Sequence, residues 1–241
     1  MGAPPADLKP KAARPDSGTL PETQVRAMFD RIAGVYDRMN GVMTAGMHHR
    51  WRERAAALAR VGPGSRALDV ATGTGDLAVA LRARGAEVTG LDFSDRMLDL
   101  ARAKAPDVTF RQGNALKLPY SDAQFEAVTV AFGARNFSDL RLGLAEMARV
   151  TRPGGRVVVL EITTPQRPPL SLFFSLWFDR IVPALGRVAG DPEAYTYLPN
   201  SVRRFPGPSA LAVELRHAGL ADVSYILTAG GIIALHSGTR R

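Results

Sequence analysis

The chain has 241 residues, of which 46% are hydrophobic, and it carries a formal net charge of +8 at pH 7. This length and apolar content suffice for one α/β core, while the absence of cysteine excludes disulfide bonds, thiolate metal sites and cysteine nucleophiles. The positive charges are scattered along the chain and are not interleaved with aromatic residues, so we expect no nucleic-acid partner.

The beginning of the chain differs in composition from the rest. Residues 1–22 contain five prolines and no apolar stretch of the kind that a secretory signal carries, so we predict a flexible tail and a cytoplasmic location. Residues 23–241 are predicted to form a single domain. Helical spacing of apolar residues predicts helices over 23–37 and 45–61, which form a helical cover (23–61) ahead of the sheet.

Residues 66–93 form the most informative stretch of the sequence. In chain order they predict a buried strand at 67–71, a turn with Gly73 and Gly75, a helix over 77–83, and a strand at 88–91 that ends at Asp92. Glycine lets the backbone pass close to a ligand, and the helix start offers free N–H groups. This order of elements predicts a nucleotide-binding crevice.

The glycine turn fits two kinds of nucleotide. Its spacing satisfies the dinucleotide fingerprint, with Asp92 near the position of the acid that binds ribose. Two further acids favour S-adenosylmethionine. Asp69 lies inside the first strand, where it needs a donor such as the ammonium group of an amino acid, and Asp76 begins the helix, where it would repel a diphosphate. Asp76 is equally well explained as a favourable charge at a helix start.

The rest of the core, residues 62–165, continues the alternation of strands and helices. It is predicted to contain strands at 108–112, 127–132 and 156–162, helices capped by Ser94 and Ser138, and a turn at 153–155.

Two segments follow the core. Residues 166–219 are predicted as a helical insertion on the substrate side, and residues 220–241 as a terminal hairpin. The expected helices run over 170–185, 195–203 and 209–218, and the expected strands over 223–229 and 232–236, around Gly230-Gly231. All elements together predict an α/β fold: a doubly wound, mostly parallel, seven-stranded sheet with helices on both faces and a C-terminal antiparallel hairpin.

Several further segments carry a resemblance to a known family. They are Tyr36-Asp37-x-Met39-Asn40 with Met43, Thr44, His48 and Trp51; Phe132-Gly133-Ala134-Arg135-Asn136; Arg149 through Glu161; and 191–198 with Ser201. With these segments the chain resembles the ubiquinone/menaquinone biosynthesis C-methyltransferases, of the class I S-adenosylmethionine-dependent methyltransferases, over residues 25–238. Departures from the family pattern occur at Ala71, usually glycine, at Thr44, commonly serine, and at Thr151, usually leucine or isoleucine.

The resemblance implies a Rossmann-like fold and S-adenosylmethionine as cofactor. It implies that the methionine end lies at Gly73, Thr74 and Gly75, the ribose at Asp92, and the adenine at Asn114 and Ala115; residue chemistry adds Asp69 to this set. The departure at Ala71 bears on how closely the backbone approaches the cofactor.

The resemblance also implies methylation of a ring carbon in a reduced, polyprenylated quinone precursor. Such a reaction needs alignment of the ring with the methyl donor and loss of a hydroxyl proton. We expect Arg135 beside the substrate oxygens, where a guanidinium can stabilise a phenolate, with a structural loop cap as its alternative role. Weaker candidates, whose usual role is packing, are Tyr36, Asp37, Asn40, His48, Tyr195 and Tyr197.

The substrate stays open at this level. We favour demethylmenaquinol over 2-methoxy-6-polyprenyl-benzoquinol on resemblance alone. More distant alternatives are an NAD-dependent oxidoreductase, against which Asp69 and Asp76 argue, and a non-catalytic cofactor-binding protein, against which the later family segments argue.

Three further expectations concern metals, membranes and oligomers. No metal site is expected, because adjacent His48 and His49 should lie on different faces of a helix. The apolar surface of the 170–185 helix is interpreted as core packing, with a groove for the polyprenyl tail beside an anionic membrane as the alternative. The oligomeric state is left open, and a homodimer is one arrangement that the sequence allows.

Overall fold

A computed structural model describes residues 21–165, 168–182, 184 and 192–241. Its helices are α1 (Glu22–Thr44), α2 (Met47–Leu58), α3 (Asp76–Arg82), α4 (Asp95–Lys104), α5 (Leu140–Val150), α6 (Leu170–Leu176), α7 (Pro192–Arg204) and α8 (Pro208–His217). Its strands are β1 (Arg66–Val70), β2 (Glu87–Asp92), β3 (Thr109–Gln112), β4 (Phe125–Ala131), β5 (Thr151–Ile162), β6 (Leu220–Thr228) and β7 (Ile233–Arg240).

The strands form one seven-stranded sheet in the order β3-β2-β1-β4-β5-β7-β6. Strands β1 to β5 are parallel to one another, and β7 runs antiparallel to both of its neighbours. This arrangement confirms the predicted fold class. The strand order reverses between β1 and β4, which is the place where ligands bind in open α/β sheets.

Helices cover both faces of the sheet because neighbouring strand residues point in opposite directions. Ala67 packs with α2 and α3 on one face, whereas Leu68 packs with α5 and α8 on the other. A third apolar cluster joins α1 to α7. This third cluster lies outside the sheet core and holds α1 and α7 together.

The first helix is longer than predicted. It starts at Glu22, inside the predicted tail, and ends at Thr44, where Ala45 and Gly46 adopt left-handed φ angles of 49° and 74°. The expected end at residue 37 is therefore wrong, because the chain has no stop signal until this pair. The rest of the predicted tail, residues 1–20, lies outside the described residues.

One of the two predicted helix caps is correct. Ser94 caps α4, with its Oγ accepting the N–H of Met97 at 3.1 Å. Ser138 does not cap α5; Asp139 does so by accepting the N–H of Leu142 at 3.0 Å. Both residue types are good caps, and the helix begins immediately after the second of them.

The turn predicted at 153–155 is a bulge inside β5. Thr151 pairs with Phe125 and Arg156 pairs with Ala127, so the residues between them have no partner in the ladder. A Cβ added to Gly155 would lie 2.8 Å from the carbonyl oxygen of Glu126, so the close approach of the strands requires glycine.

The helix predicted over 170–185 is regular only as far as Leu176. A π-helical turn follows at Trp177–Ile181, and the end of the predicted segment lies outside the described residues. Helix α7 starts at Pro192, three residues before the predicted start.

The residue that departs from the family glycine, Ala71, lies directly after β1 with a φ of 51°. This is the left-handed region, which explains why glycine suits the position. A Cβ added to Gly133 would lie 2.6 Å from the Cβ of Ala71. The loops that follow β1 and β4 are therefore so close that a methyl group fits at position 71 or at position 133, but not at both.

We predict that G133A destabilises the protein by about 2 kcal/mol through this clash. A71G alone should change the free energy of unfolding by less than about 1 kcal/mol. Glycine removes the left-handed strain at this position in the folded state, and this gain offsets the greater entropy that glycine gives the unfolded chain. The double variant should recover most of the loss. Urea unfolding of all four proteins measures the coupling, and additive effects would show that the two Cβ positions do not compete.

Candidate active site

Two adjoining cavities lie at the carboxyl edge of the sheet. The first, called the crevice, is lined by segments that follow β1, β2, β3 and β4. It brings together six of the seven residues predicted to bind the cofactor: Asp69, Gly73, Thr74, Asp92, Asn114 and Ala115. Gly75 shapes the turn with a φ of 83° but does not line the crevice.

Asp92 ties the glycine turn to the end of β2. Its carboxylate accepts the N–H of Gly73 at 2.8 Å and the N–H of Ser94 at 2.9 Å. Burial raises the pKa of Asp92 to about 6, although these backbone donors favour the ionised form. The turn and the second strand are thus held in one geometry by a buried acid.

Asp69 accepts hydrogen bonds from two threonines of the protein itself. Thr72 donates a hydroxyl hydrogen bond to one carboxylate oxygen at 2.6 Å, and Thr129, its register partner on β4, donates to the other at 2.8 Å. Burial raises the pKa of Asp69 to about 6 against these two hydrogen bonds. Asp69 therefore has donors within the protein, and because it also lines the crevice its place in the cofactor set stays a prediction.

Asp76 is held by two cations that the sequence analysis did not consider. Lys104 Nζ lies 2.7 Å from one carboxylate oxygen and Arg52 Nη1 lies 3.6 Å from the other. Burial works to raise the pKa of Asp76, but Arg52 and Lys104 outweigh it and the pKa is lowered. Because this charge is compensated, the argument that Asp76 repels a diphosphate fails.

Helix α1 covers the crevice through side-chain contacts along its length. They are Glu22 with Asn114 at 2.9 Å, Arg26 with Asp95 at 3.1 Å, Asp30 with Ser94 at 2.5 Å, and Asp37 with Thr74 and Lys104 at 2.7 Å each. Apart from Lys104, the last residue of α4, these partners lie directly after β1, β2 or β3 at the carboxyl edge. Asp37 lines neither cavity, so we interpret this predicted catalytic residue as an anchor of α1.

The second cavity, called the apolar cavity, has a volume of about 390 Å³. Its lining comes mainly from α1, α2, α6 and α7 and is dominated by Ile, Leu, Met, Phe and Trp side chains. Phe29, Tyr36, Arg52 and Phe132 line both cavities. These four side chains form the wall across which a group in the crevice would meet a molecule in the apolar cavity.

Arg135 lies in the wall of the apolar cavity and is buried. Its Nη1 donates to both carboxylate oxygens of Glu161, at 2.9 and 3.1 Å, and to the carbonyl of Phe132. Burial raises the pKa of Glu161, and the Arg135 charge opposes that rise. Within the described part of the chain the buried Nε of Arg135 has no hydrogen-bond partner. Arg135 thus caps the loop through Nη1, and its Nε is left as a donor without a partner among the described residues.

The remaining candidates divide between the cavities. Tyr36 lines both, whereas Asn40, His48 and Tyr197 line the apolar cavity. The hydroxyl of Tyr197 also donates to Asn136 at 3.1 Å. Tyr195 belongs to α7, but its side chain lies outside the described residues.

His48 and His49 meet in spite of their adjacency, with ring centroids 3.9 Å apart, so the argument from helix faces is wrong. Their donor atoms and a carboxylate oxygen of Asp76 lie within 4.8 Å of one another. Arg52 and Lys104 already compensate that carboxylate, so we interpret the group as an ion-pair network.

Sequence reasoning missed Arg52, Lys104 and Glu161. Arg52 follows His48 by one helical turn on α2, a spacing that the sequence displays. Lys104 ends α4 and Glu161 lies near the end of β5, and both reach the site only through long-range packing. The sequence around Lys104 and Glu161 gave no local signal that these side chains belong to the site.

The sheet order, the glycine turn and the paired cavities define a class I methyltransferase fold. Solved structures agree. A SAM-dependent methyltransferase of Thermotoga maritima has a TM-score of 0.63 at 19% identity, over 90% of this chain and 99% of that one. An S-adenosyl-L-methionine-dependent methyltransferase of Methanococcus maripaludis has a TM-score of 0.62 at 16% identity, over 88% and 94%.

The chain belongs to the ubiE/COQ5 methyltransferase family, whose model matches residues 18–240. It is 46% identical to the demethylmenaquinone methyltransferase of Thermus thermophilus over 88% of this chain and all of that one. It is 47% identical to that of Deinococcus radiodurans over 86% of this chain and 88% of that one. The predicted family resemblance is confirmed.

We predict that R135A and R135K separate the two roles of Arg135. R135A leaves the Glu161 carboxylate buried without its partner and should cost about 3–5 kcal/mol of stability. R135K keeps the charge but lacks Nε, so it should fold and lose methyl transfer roughly 100-fold. Thermal melts, calorimetry with S-adenosylmethionine and labelled-methyl transfer measure these effects.

R152K is the matched control, because Arg152 makes an exposed ion pair with Glu126 at 3.3 Å. It should match the unaltered protein in stability and turnover. Full turnover in R135K would leave Arg135 as a loop cap alone.

Proposed function

We propose that this protein methylates a ring carbon of demethylmenaquinol to form menaquinol. The observation that carries the proposal is the apolar cavity, which adjoins the crevice through Phe29, Tyr36, Arg52 and Phe132. A ring with a polyprenyl tail needs an apolar site with a few polar groups near the ring oxygens, and this cavity offers the apolar surface and the polar groups. The relatives named demethylmenaquinone methyltransferases supply the choice of substrate.

S-adenosylmethionine is the cofactor, and when bound it supplies an electrophilic methyl group. The crevice fits it: Asp92 places a carboxylate at the end of β2, and Leu91, Phe93 and Met97 supply apolar surface in the same lining. We propose Asp92 for the ribose, the glycine turn with Thr74 for the methionine end, and Asn114 with Ala115 for the adenine.

The protein's own residues have three tasks in this reaction. Apolar walls exclude water from the ring, α1 holds the crevice closed through Asp37 and Thr74, and Arg135 offers its unpartnered Nε to a substrate oxygen. A cationic donor at that place stabilises the phenolate that forms when the hydroxyl proton leaves. Tyr36 and Tyr197 complete the polar end of the cavity.

The alternative substrate is 2-methoxy-6-polyprenyl-benzoquinol, which presents the same polar ring and apolar tail. An NAD-dependent oxidoreductase is excluded by the family match, although not by the charge of Asp76. A non-catalytic cofactor-binding protein would not need an apolar cavity beside the cofactor.

The test compares methyl transfer to the two quinols while substrate binding is followed independently. Both tryptophans of the chain, Trp51 and Trp177, line the apolar cavity, so a quinone bound there should quench the intrinsic fluorescence. We predict quenching by a short-chain menaquinone and faster transfer to demethylmenaquinol. Faster transfer to the benzoquinol would assign the alternative, and transfer to neither with no quenching would refute the proposal.

We also propose that the protein works in the cytoplasm at the inner face of the membrane. Val42, Met47 and Phe173 line the apolar cavity and are exposed, so its mouth is apolar. Beside it, Leu172 is 68% and Leu176 is 51% exposed. Among the helices that the structure describes, none is both long and apolar enough to span a bilayer. An apolar patch of this kind suits a bilayer surface from which the tail enters.

We predict that L172Q/L176Q weakens co-sedimentation with anionic vesicles while methyl transfer to a short-chain quinol is retained. These two side chains are exposed and do not line the cavity. L142Q, on the exposed side of α5, is the matched control and should bind like the unaltered protein. Absence of vesicle binding by the unaltered protein at low and high salt would refute the membrane contact. A shift from dimer to monomer in L172Q/L176Q would instead assign the patch to a homodimer.

A further inference from the structure

His48 is a buried polar residue in the first turn of α2 and lines the apolar cavity. Its Nδ1 lies 2.6 Å from Nη1 of Arg52, one helical turn further along. The same guanidinium group lies 5.1 Å from the ring centroid of Phe132, in the wall between the two cavities. Arg52 is thus held between the imidazole, an aromatic ring and Asp76.

The contact with Arg52 determines which nitrogen of His48 carries the proton. A guanidinium group has only donors, so Nδ1 of His48 must accept the hydrogen bond. In a neutral imidazole the other nitrogen, Nε2, then carries the hydrogen. His48 consequently offers an N–H donor and no free acceptor.

The surroundings of His48 also favour the neutral ring. Burial lowers its pKa to about 4, with the charges of Arg52 and His49 acting in the same direction, and Asp76 and Asp37 oppose them only in part. Near pH 7 the ring is therefore neutral, and Nδ1 stays an acceptor.

We propose that His48 binds the substrate by donating its Nε2–H to one ring oxygen, and that Arg52 is the positioning residue that fixes this tautomer. The inference rests on the proposed quinol substrate and deepens it. It assigns to His48 the recognition of an oxygen instead of the removal of a proton, because the only nitrogen that could accept a proton is occupied by Arg52. His48 then joins Arg135 as a donor to substrate oxygens in this cavity.

Two substitutions separate the two nitrogens. In H48N the amide oxygen can take the place of Nδ1 and accept from Arg52, but no donor replaces Nε2–H. In H48Q the amide nitrogen can take the place of Nε2 and donate to the substrate. We expect H48N to lose roughly 10- to 100-fold in kcat/KM for the quinol, and H48Q to retain more of it.

Both variants should bind S-adenosylmethionine like the unaltered protein in calorimetry, and quinone quenching of Trp51 and Trp177 should weaken more in H48N. The opposite ranking, with Asn retained and Gln inactive, would overturn the proposal and leave His48 as a support for Arg52. Equal losses in the two variants would also overturn it.

A measurement on the unaltered protein does not depend on how the variants fold. The chain has four histidines, so nitrogen-15 spectra can resolve the ring of His48. We expect a neutral ring with the proton on Nε2 at pH 7, and a change at Nε2 when menadione is added. A proton on Nδ1, or an unchanged Nε2 signal under quinone concentrations that quench the tryptophans, would overturn the inference. Absence of both quenching and methyl transfer would instead count against the proposed function.

Discussion

Compensation of buried charge at the carboxyl edge of the sheet is the constraint on which the rest of the site depends. The side chains of four acids are largely buried there, and each has at least one partner from another segment. The partners are Thr72 and Thr129 for Asp69, Gly73 and Ser94 for Asp92, Arg52 and Lys104 for Asp76, and Arg135 for Glu161. A buried acid without a partner would cost several kcal/mol. The loops around both cavities are therefore fixed by one set of interactions.

The same constraint joins the crevice to the apolar cavity. Arg52 contacts Asp76 in the crevice and His48 in the apolar cavity, and its guanidinium lies over Phe132 between them. An arginine suits this position because its planar group can serve several partners at once. Arg52 thereby links the two cavities through direct side-chain contacts.

Most of the fold could be predicted from the sequence, because hydrophobic period and glycine turns are local signals. The seven strands and the hairpin follow from them, whereas the residues of the crevice came from the family resemblance, with Asp69 added by residue chemistry. The long-range parts could not be predicted. The bulge in β5 depends on the approach of Gly155 to Glu126, and the end of α1 depends on left-handed φ angles at Ala45 and Gly46, a conformation that alanine seldom adopts. Donors such as Lys104 reach the site only after the chain has folded.

The two acids show why a correct conclusion can rest on an incomplete physical argument. Asp69 favoured S-adenosylmethionine over NAD as an acid that needs an ammonium donor, and Asp76 did so as a charge that would repel a diphosphate. In the structure both acids have partners within the protein, so neither acid by itself selects the ligand. A buried carboxylate needs a partner, but the sequence does not show whether that partner is a ligand or a neighbouring side chain. Only the fold decides this. Asp92 fits the ribose of either nucleotide, so selection of the cofactor must come from other features of the crevice, such as its shape.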